Sequence, residues 1–231
     1  MAPKVLVVLT SVGHIEAADK PTGWYLPELA HPYDVLTSAG VEIVTASPAG
    51  GVAPLDPGSV AMSADDASSQ AFLAKHKPVW EQTQRASAFR GRAGEFAALF
   101  YPGGHGPMFD LVSNADSIAL IEEFAAAGKP VAAVCHGPVV LLNAKKADGT
   151  PLLAGKAATG FSNAEEDAVA MSQFMPFLLE DKIKAVGAKY EKAAQPWAEL
   201  VVVQDGGKLI TGQNPASAKG VGEALLKAIT A

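Results

Sequence analysis

Val131-Ala132-Ala133-Val134-Cys135-His136-Gly137-Pro138 reads as a buried strand that ends in a sharp turn. Small and branched apolar residues with no polar position between them fit a strand covered on both faces. Gly137 and Pro138 interrupt the run, and Val139 to Lys145 has helical composition with a lysine in its last turn. Strand, turn and helix in that order are the repeating unit of a parallel sheet.

Upstream, Phe96 to Tyr101 predicts another strand, stopped by Pro102-Gly103-Gly104-His105-Gly106, where the glycines let the backbone approach a neighbour closely. A helix from about Asp116 to Ala127 separates the two strands and ends at Gly128, with Pro130 beyond it. Lys4 to Leu9 is a short Val/Leu run and a first buried strand, followed by a loop from Thr10 to Gly23. Trp24 to Tyr33 holds Pro27 and Pro32 and predicts a broken helix. Val41 to Ser47 predicts a strand, Ser47 to Gly58 a surface loop, and Ala71 to Ala88 a helical stretch. Downstream, a strand near Ala157 to Thr159 leads into the acidic helix start Asn163-Ala164-Glu165-Glu166-Asp167, and Pro176 to Val186 predicts a further helix. A hairpin of Leu200 to Gln204 and Lys208 to Thr211 turns at Asp205-Gly206-Gly207 and precedes a terminal helix to about Ile229.

This alternation predicts an α/β fold spanning residues 1–231 as a single domain, with a mostly parallel sheet and helices on both faces. In such sheets the crevice lies beyond the carboxyl ends of the strands, so the loop after Leu9, the glycine loop after Tyr101 and the turn at Cys135 are expected to meet. The chain has 231 residues, 49% of them hydrophobic, and a formal net charge of −6. An acidic chain has no basic field for nucleic acid or anionic lipid. The apolar run after Lys4 is too short for a signal peptide's core, and no segment reaches membrane-spanning length, so a cytoplasmic protein without membrane contact is expected.

The single cysteine excludes an intrachain disulfide and is either a small core residue or a kept reactive thiol. Its place between strand and turn matches a nucleophile elbow, where following backbone N–H groups and a helix dipole lower a thiol's pKa and hold an oxyanion. His136 is the adjacent proton acceptor among five histidines. Glu165 or Glu166 offers the carboxylate that orients it; the competing reading is a solvated acidic helix start. Glu28, among proline, leucine and aromatic residues, is a candidate for a buried, protonated carboxyl that donates to a thiolate. Gly104 and His105 are candidate oxyanion and substrate contacts. Trp24, Tyr25 and Trp197 suit the core, and of these Trp24 is assigned with Glu165 to the substrate-binding set. His14, His31 and His76 show no persuasive metal-ligand spacing, and no metal is expected.

Four segments together, Ala133 to Pro138, Pro102 to Gly106, Thr159-Gly160-Phe161-Ser162-Asn163 and Thr211-Gly212-Gln213-Asn214-Pro215-Ala216-Ser217, resemble the PfpI and Parkinsonism-associated deglycase superfamily, class I glutamine amidotransferase-like in fold. The likeness is greater to its glutathione-independent glyoxalase III branch, the heat-shock chaperone-like members, and runs from Met1 almost to the C-terminus. It implies a flavodoxin-like three-layer sandwich and a homodimer. It also implies a nucleophile at Cys135, a partner at His136, a thiol-contacting glutamate at Glu28 and a third acidic residue at Glu166, with Glu165 and Asp167 one position away. The implied reaction converts methylglyoxal or glyoxal to the hydroxy acid without glutathione, metal or organic cofactor, a small dicarbonyl being the partner. No histidine follows His136, which disfavours amidotransfer and weighs against a second reading, a cysteine peptidase or amidase. A third reading is a stress-related holding chaperone or thiol redox sensor. The segment Asn163 to Ala170 and the loop Gly50 to Ala61 depart from the chaperone-like members.

Overall fold

The computed structural model describes residues 2–231. Among the described residues eleven strands form in chain order: β1 (Lys4–Val8), β2 (His14–Ile15), β3 (Lys20–Pro21), β4 (Glu42–Ser47), β5 (Gln84–Arg85), β6 (Ala98–Tyr101), β7 (Val131–Val134), β8 (Ala157–Ala158), β9 (Lys189–Tyr190), β10 (Val201–Gln204) and β11 (Leu209–Gly212). Seven of them make one sheet in the order β10-β11-β7-β6-β1-β4-β5. All neighbours in it are parallel except the β10–β11 hairpin. In register, Leu6 lies between Val44 and Leu99, and Ala133 between Tyr101 and Thr211. β6 and β7 are buried at every position, which is why they read as unbroken apolar runs.

The long helices are α1 (Leu26–Ser38), α3 (Ala67–Lys75), α5 (Ala115–Ala126) and α8 (Ala218–Thr230), with the shorter α2 (Pro57–Met62), α4 (Pro78–Glu81), α6 (Asn163–Ala168) and α7 (Leu179–Ala185) between them. The link β1-α1-β4 moves one way across the sheet and β6-α5-β7 the other. Right-handed crossovers therefore put α1 and α5 on opposite faces, and the order reverses between β1 and β6. This is the expected flavodoxin-like sandwich, with its crevice at that reversal. No helix among the described residues is long and apolar enough to cross a membrane.

Several elements differ from the sequence reading. The broken helix expected at 24–33 is one continuous α1: Pro27 sits in the first turn, where no donor is required, and Pro32 packs where Gly222 of α8 leaves room. A Cβ at Gly222 would stand 2.8 Å from Pro32 Cα. The stretch 71–88 divides into α3, α4 and the edge strand β5: His76 leaves helical geometry at φ −121°, and Pro78, which has no N–H to continue the α3 ladder, sits at the first position of α4. The helix expected over 139–145 is a short 3₁₀ segment, Gly137–Leu141; Val139 and Val140 are stiff β-branched residues, buried on all sides. The strand near 157 lies outside the main sheet and pairs with β9, and the helix expected from 176 begins at Leu179.

Candidate active site

The turn after β7 places Cys135 at φ +61°, a left-handed conformation that costs a non-glycine residue free energy. Leaving the strand there turns the side chain away from the sheet. Cys135 is only 3% exposed, yet its side chain lines a cavity of about 310 Å³ at the carboxyl ends of the central strands. The glycine loop after β6 comes in beside it. A Cβ on Gly103 would lie 2.7 Å from His136 N and 2.8 Å from Glu28 Oε2, so only glycine allows that approach. Gly104, at φ +87°, and His136 direct backbone N–H groups at the sulfur.

Glu28, in the first turn of α1, is fully buried beneath this turn. Its Oε2 accepts the Gly103 N–H at 2.7 Å, while Oε1 is buried without a partner in hydrogen-bond geometry. The carboxyl and the Cys135 thiol are neighbours that perturb each other's ionisation. Burial pushes Glu28 up to about 8, against its hydrogen bonds to Cys135 and Gly103. Burial also pushes the thiol well above its ordinary value, and the charge and hydrogen bond of Glu28 add to this, while the Gly104 and His136 amides pull the other way. The sequence reading expected a depressed thiol pKa. The structure reverses the direction, because a 3₁₀ turn replaces the expected helix and the sulfur lies out of water.

His136 Nδ1 stands 3.4 Å from Cys135 Sγ, and its Nε2 is 2.6 Å from Glu166 Oε2. The other oxygen, Oε1, is 2.8 Å from His105 Nε2. Burial opposes the charge on Glu166, yet the two imidazoles, His136 foremost, hold its carboxyl well below the usual carboxylate range. An ionised carboxylate only accepts, so both histidines carry their proton on Nε2, and His136 turns a bare Nδ1 to the sulfur. Burial keeps His136 neutral by pushing its pKa down against the pull of Glu166. His105, His136 and Glu166 also offer ligand atoms within 4.8 Å of one another. Here those atoms are engaged in N–H to carboxylate bonds.

Glu165 points elsewhere. It closes a capping box with Ser162 and accepts from Gln213 Nε2, Asn214 Nδ2 and the Trp197 N–H, at 3.0, 2.8 and 2.9 Å. It therefore ties α6 to the Gln213-Asn214 segment and touches neither Cys135 nor the cavity. The pattern Ser-x-x-Glu at 162–165 marks this in the sequence, since a capping box takes the fourth residue and leaves the next one free. Trp24, assigned to the substrate set, is a core residue: it is fully buried, its Nε1 donates to Ala53 O at 3.1 Å, and its ring packs on Phe72 and Trp80. The wall is instead formed by Tyr25, Met62, Phe161 and Trp197. Trp197 has a legible signal, an aromatic residue after proline in a polar loop. Met62 has none.

The DJ-1/PfpI family profile matches residues 23–228. The chain is 32% identical over 228 residues to the glutathione-independent glyoxalase HSP31 of Saccharomyces cerevisiae, covering 94% of each chain. Rapid Encystment Protein 24 kDa of Francisella tularensis superposes with a TM-score of 0.91 at 34% identity, over 98% of this chain and 99% of that one. Glyoxalase III of Candida albicans superposes with a TM-score of 0.89 at 28% identity, over 98% and 97%. A match of this extent, on a sheet whose reversal point gathers the cysteine turn and the glycine loop, shows that the chain belongs to the DJ-1/PfpI family.

Proposed function

We propose that this protein is a glutathione-independent glyoxalase that converts methylglyoxal or glyoxal to the 2-hydroxy acid, with Cys135 as nucleophile. Relatives along nearly the whole chain carry the name glutathione-independent glyoxalase. The observation that carries the reading is the chain of contacts from Cys135 Sγ to His136 Nδ1, 3.4 Å, and from His136 Nε2 to Glu166, 2.6 Å, at the floor of a mainly apolar cavity.

The resting sulfur is a thiol. As it attacks the aldehyde carbon, its proton passes to His136 Nδ1, and the new oxyanion takes N–H bonds from the glycine loop around Gly104 and from His136. Glu28, protonated at neutral pH, adds no second negative charge and can donate to the sulfur. The oxyanion is then protonated to a hemithioacetal. His136 removes the hydrogen from the former aldehyde carbon to give an enediol, and returning a proton to the neighbouring carbon gives a 2-hydroxy thioester. Water hydrolyses it, freeing the thiol and the acid. The attacked aldehyde carbon is oxidised, the neighbouring carbonyl carbon reduced, and one water consumed, so no external oxidant enters. Protein with Cys135→Ala, given methylglyoxal, is expected to form no lactate above the uncatalysed rate; turnover at the wild-type rate rejects the scheme.

A further inference from the structure

Most of the cavity has no use in the chemistry of a three-carbon aldehyde. Cys135, His136, Gly104 and His105 form its floor, and the rest of its wall is mainly apolar. An apolar cavity of about 150 Å³ holds a benzene ring, and this one is about 310 Å³. Among the described residues five large apolar side chains are exposed, and three of them, Met62, Val169 and Trp197, line this cavity. Exposed apolar groups gathered around one cleft mark a site that binds apolar surface.

Trp197 is built in. It adopts φ +67°, its N–H is held by Glu165 Oε1 at 2.9 Å, and its ring meets Phe161 edge to face at 5.6 Å. Phe161 in turn lies against the His136 imidazole, with centroids 4.4 Å apart. In the same lining, Tyr25 Oη meets Met62 Sδ at 3.4 Å. An aromatic wall thus runs from the proposed base to the exposed Trp197, and the same lining holds a flexible thioether that adapts to different shapes.

We propose that the substrates are 2-oxoaldehydes with an aryl or extended alkyl substituent, the dicarbonyl head on Cys135 and the substituent between Trp197 and Met62, with Trp197 setting the preference. This rests on the dicarbonyl chemistry proposed above and follows the same balance: phenylglyoxal plus one water gives mandelate.

The test compares kcat/KM for phenylglyoxal with that for methylglyoxal. The ratio is expected to be about tenfold or more in wild type, to fall about tenfold in Trp197→Ala, and to return within about threefold of wild type in Trp197→Phe. Since the intrinsic reactivities of the two aldehydes are the same for every variant, the change in ratio reports the wall. A wild-type ratio at or below one, or a ratio that Trp197→Ala leaves unchanged, overturns the inference while methylglyoxal turnover leaves the general reading standing. If neither aldehyde is turned over, the general reading fails, and protection of Cys135 from iodoacetamide decides the present one. Mandelate must then protect at several-fold lower concentration than lactate; equal protection overturns it.

Discussion

Glu166 bonds His136 through one carboxylate oxygen at 2.6 Å and His105 through the other at 2.8 Å. One buried charge therefore fixes the tautomer of two imidazoles, and the bare Nδ1 of His136 is left facing Cys135. Glu166→Gln replaces an acceptor-only group by one that must point an NH2 at one of the two N–H donors. The imidazole it fails to hold can rotate or change tautomer, and kcat on methylglyoxal is expected to fall by roughly 10³-fold with KM changed far less. His105→Ala leaves the His136 bond in place and is expected to cost only about tenfold. Steady-state kinetics of the two variants, with circular dichroism to show that both fold, checks the order.

The pH profile of kcat/KM is expected to be bell-shaped. Its acid limb comes from protonating His136, whose pKa burial pushes down. Its basic limb comes from loss of the Glu28 proton near pH 8, which places a second negative charge beside the sulfur. Glu28→Gln cannot titrate and is expected to abolish the basic limb while keeping a donor to sulfur. Persistence of that limb in the variant assigns it to another group.

Stability carries the same signature with a defined sign. Glu28 holds its proton up to about pH 8 when folded, against an ordinary value of 4.5 when unfolded. Between those values the folded state binds the extra proton. The contribution of Glu28 is therefore fully present below 4.5 and lost as pH rises through 8. Melting curves of Glu28→Gln and wild type are expected to differ more at about pH 8 than at about pH 5, in favour of the variant.

Thiol reactivity separates this structure from one with a permanently ionised cysteine. Iodoacetamide alkylation of Cys135 is expected to be slow at neutral pH and to rise only above the range of a free thiol, since burial and the Glu28 charge both oppose the thiolate. In Glu28→Gln the thiol should titrate lower. The pH dependence of the alkylation rate measures both.

Backbone strain at Cys135 inverts a usual order. Alanine ordinarily exceeds glycine in stability, but at φ +61° it keeps the left-handed penalty that glycine lacks. Cys135→Gly is expected to be more stable than Cys135→Ala by roughly 1 kcal/mol in urea denaturation. In the opposite sense, Gly103→Ala forces a Cβ to within 2.7 Å of His136 N and Val134 O. These are backbone atoms that cannot yield, so a loss of about 1–3 kcal/mol is expected together with loss of turnover.

Patterns written along a few neighbouring residues were enough to read the fold: apolar runs such as Val131 to Val134, the stops at Gly103-Gly104 and Gly137-Pro138, and the helix from about Asp116 to Ala127 that ends at Gly128. They also put Cys135 and His136 at the end of a central strand, because strand ends and turns are local events. Tertiary structure decided the rest. Glu165 and Glu166 are adjacent and chemically identical, and only the docking of α6 against the Gln213-Asn214 segment turns one into a scaffold and the other toward two imidazoles. Trp24 and Trp197 exchanged their expected places because burial depends on what packs over a ring. The thiol's pKa moved opposite to expectation for the same reason: desolvation is set by every element that excludes water from the sulfur, and no stretch of sequence contains them all.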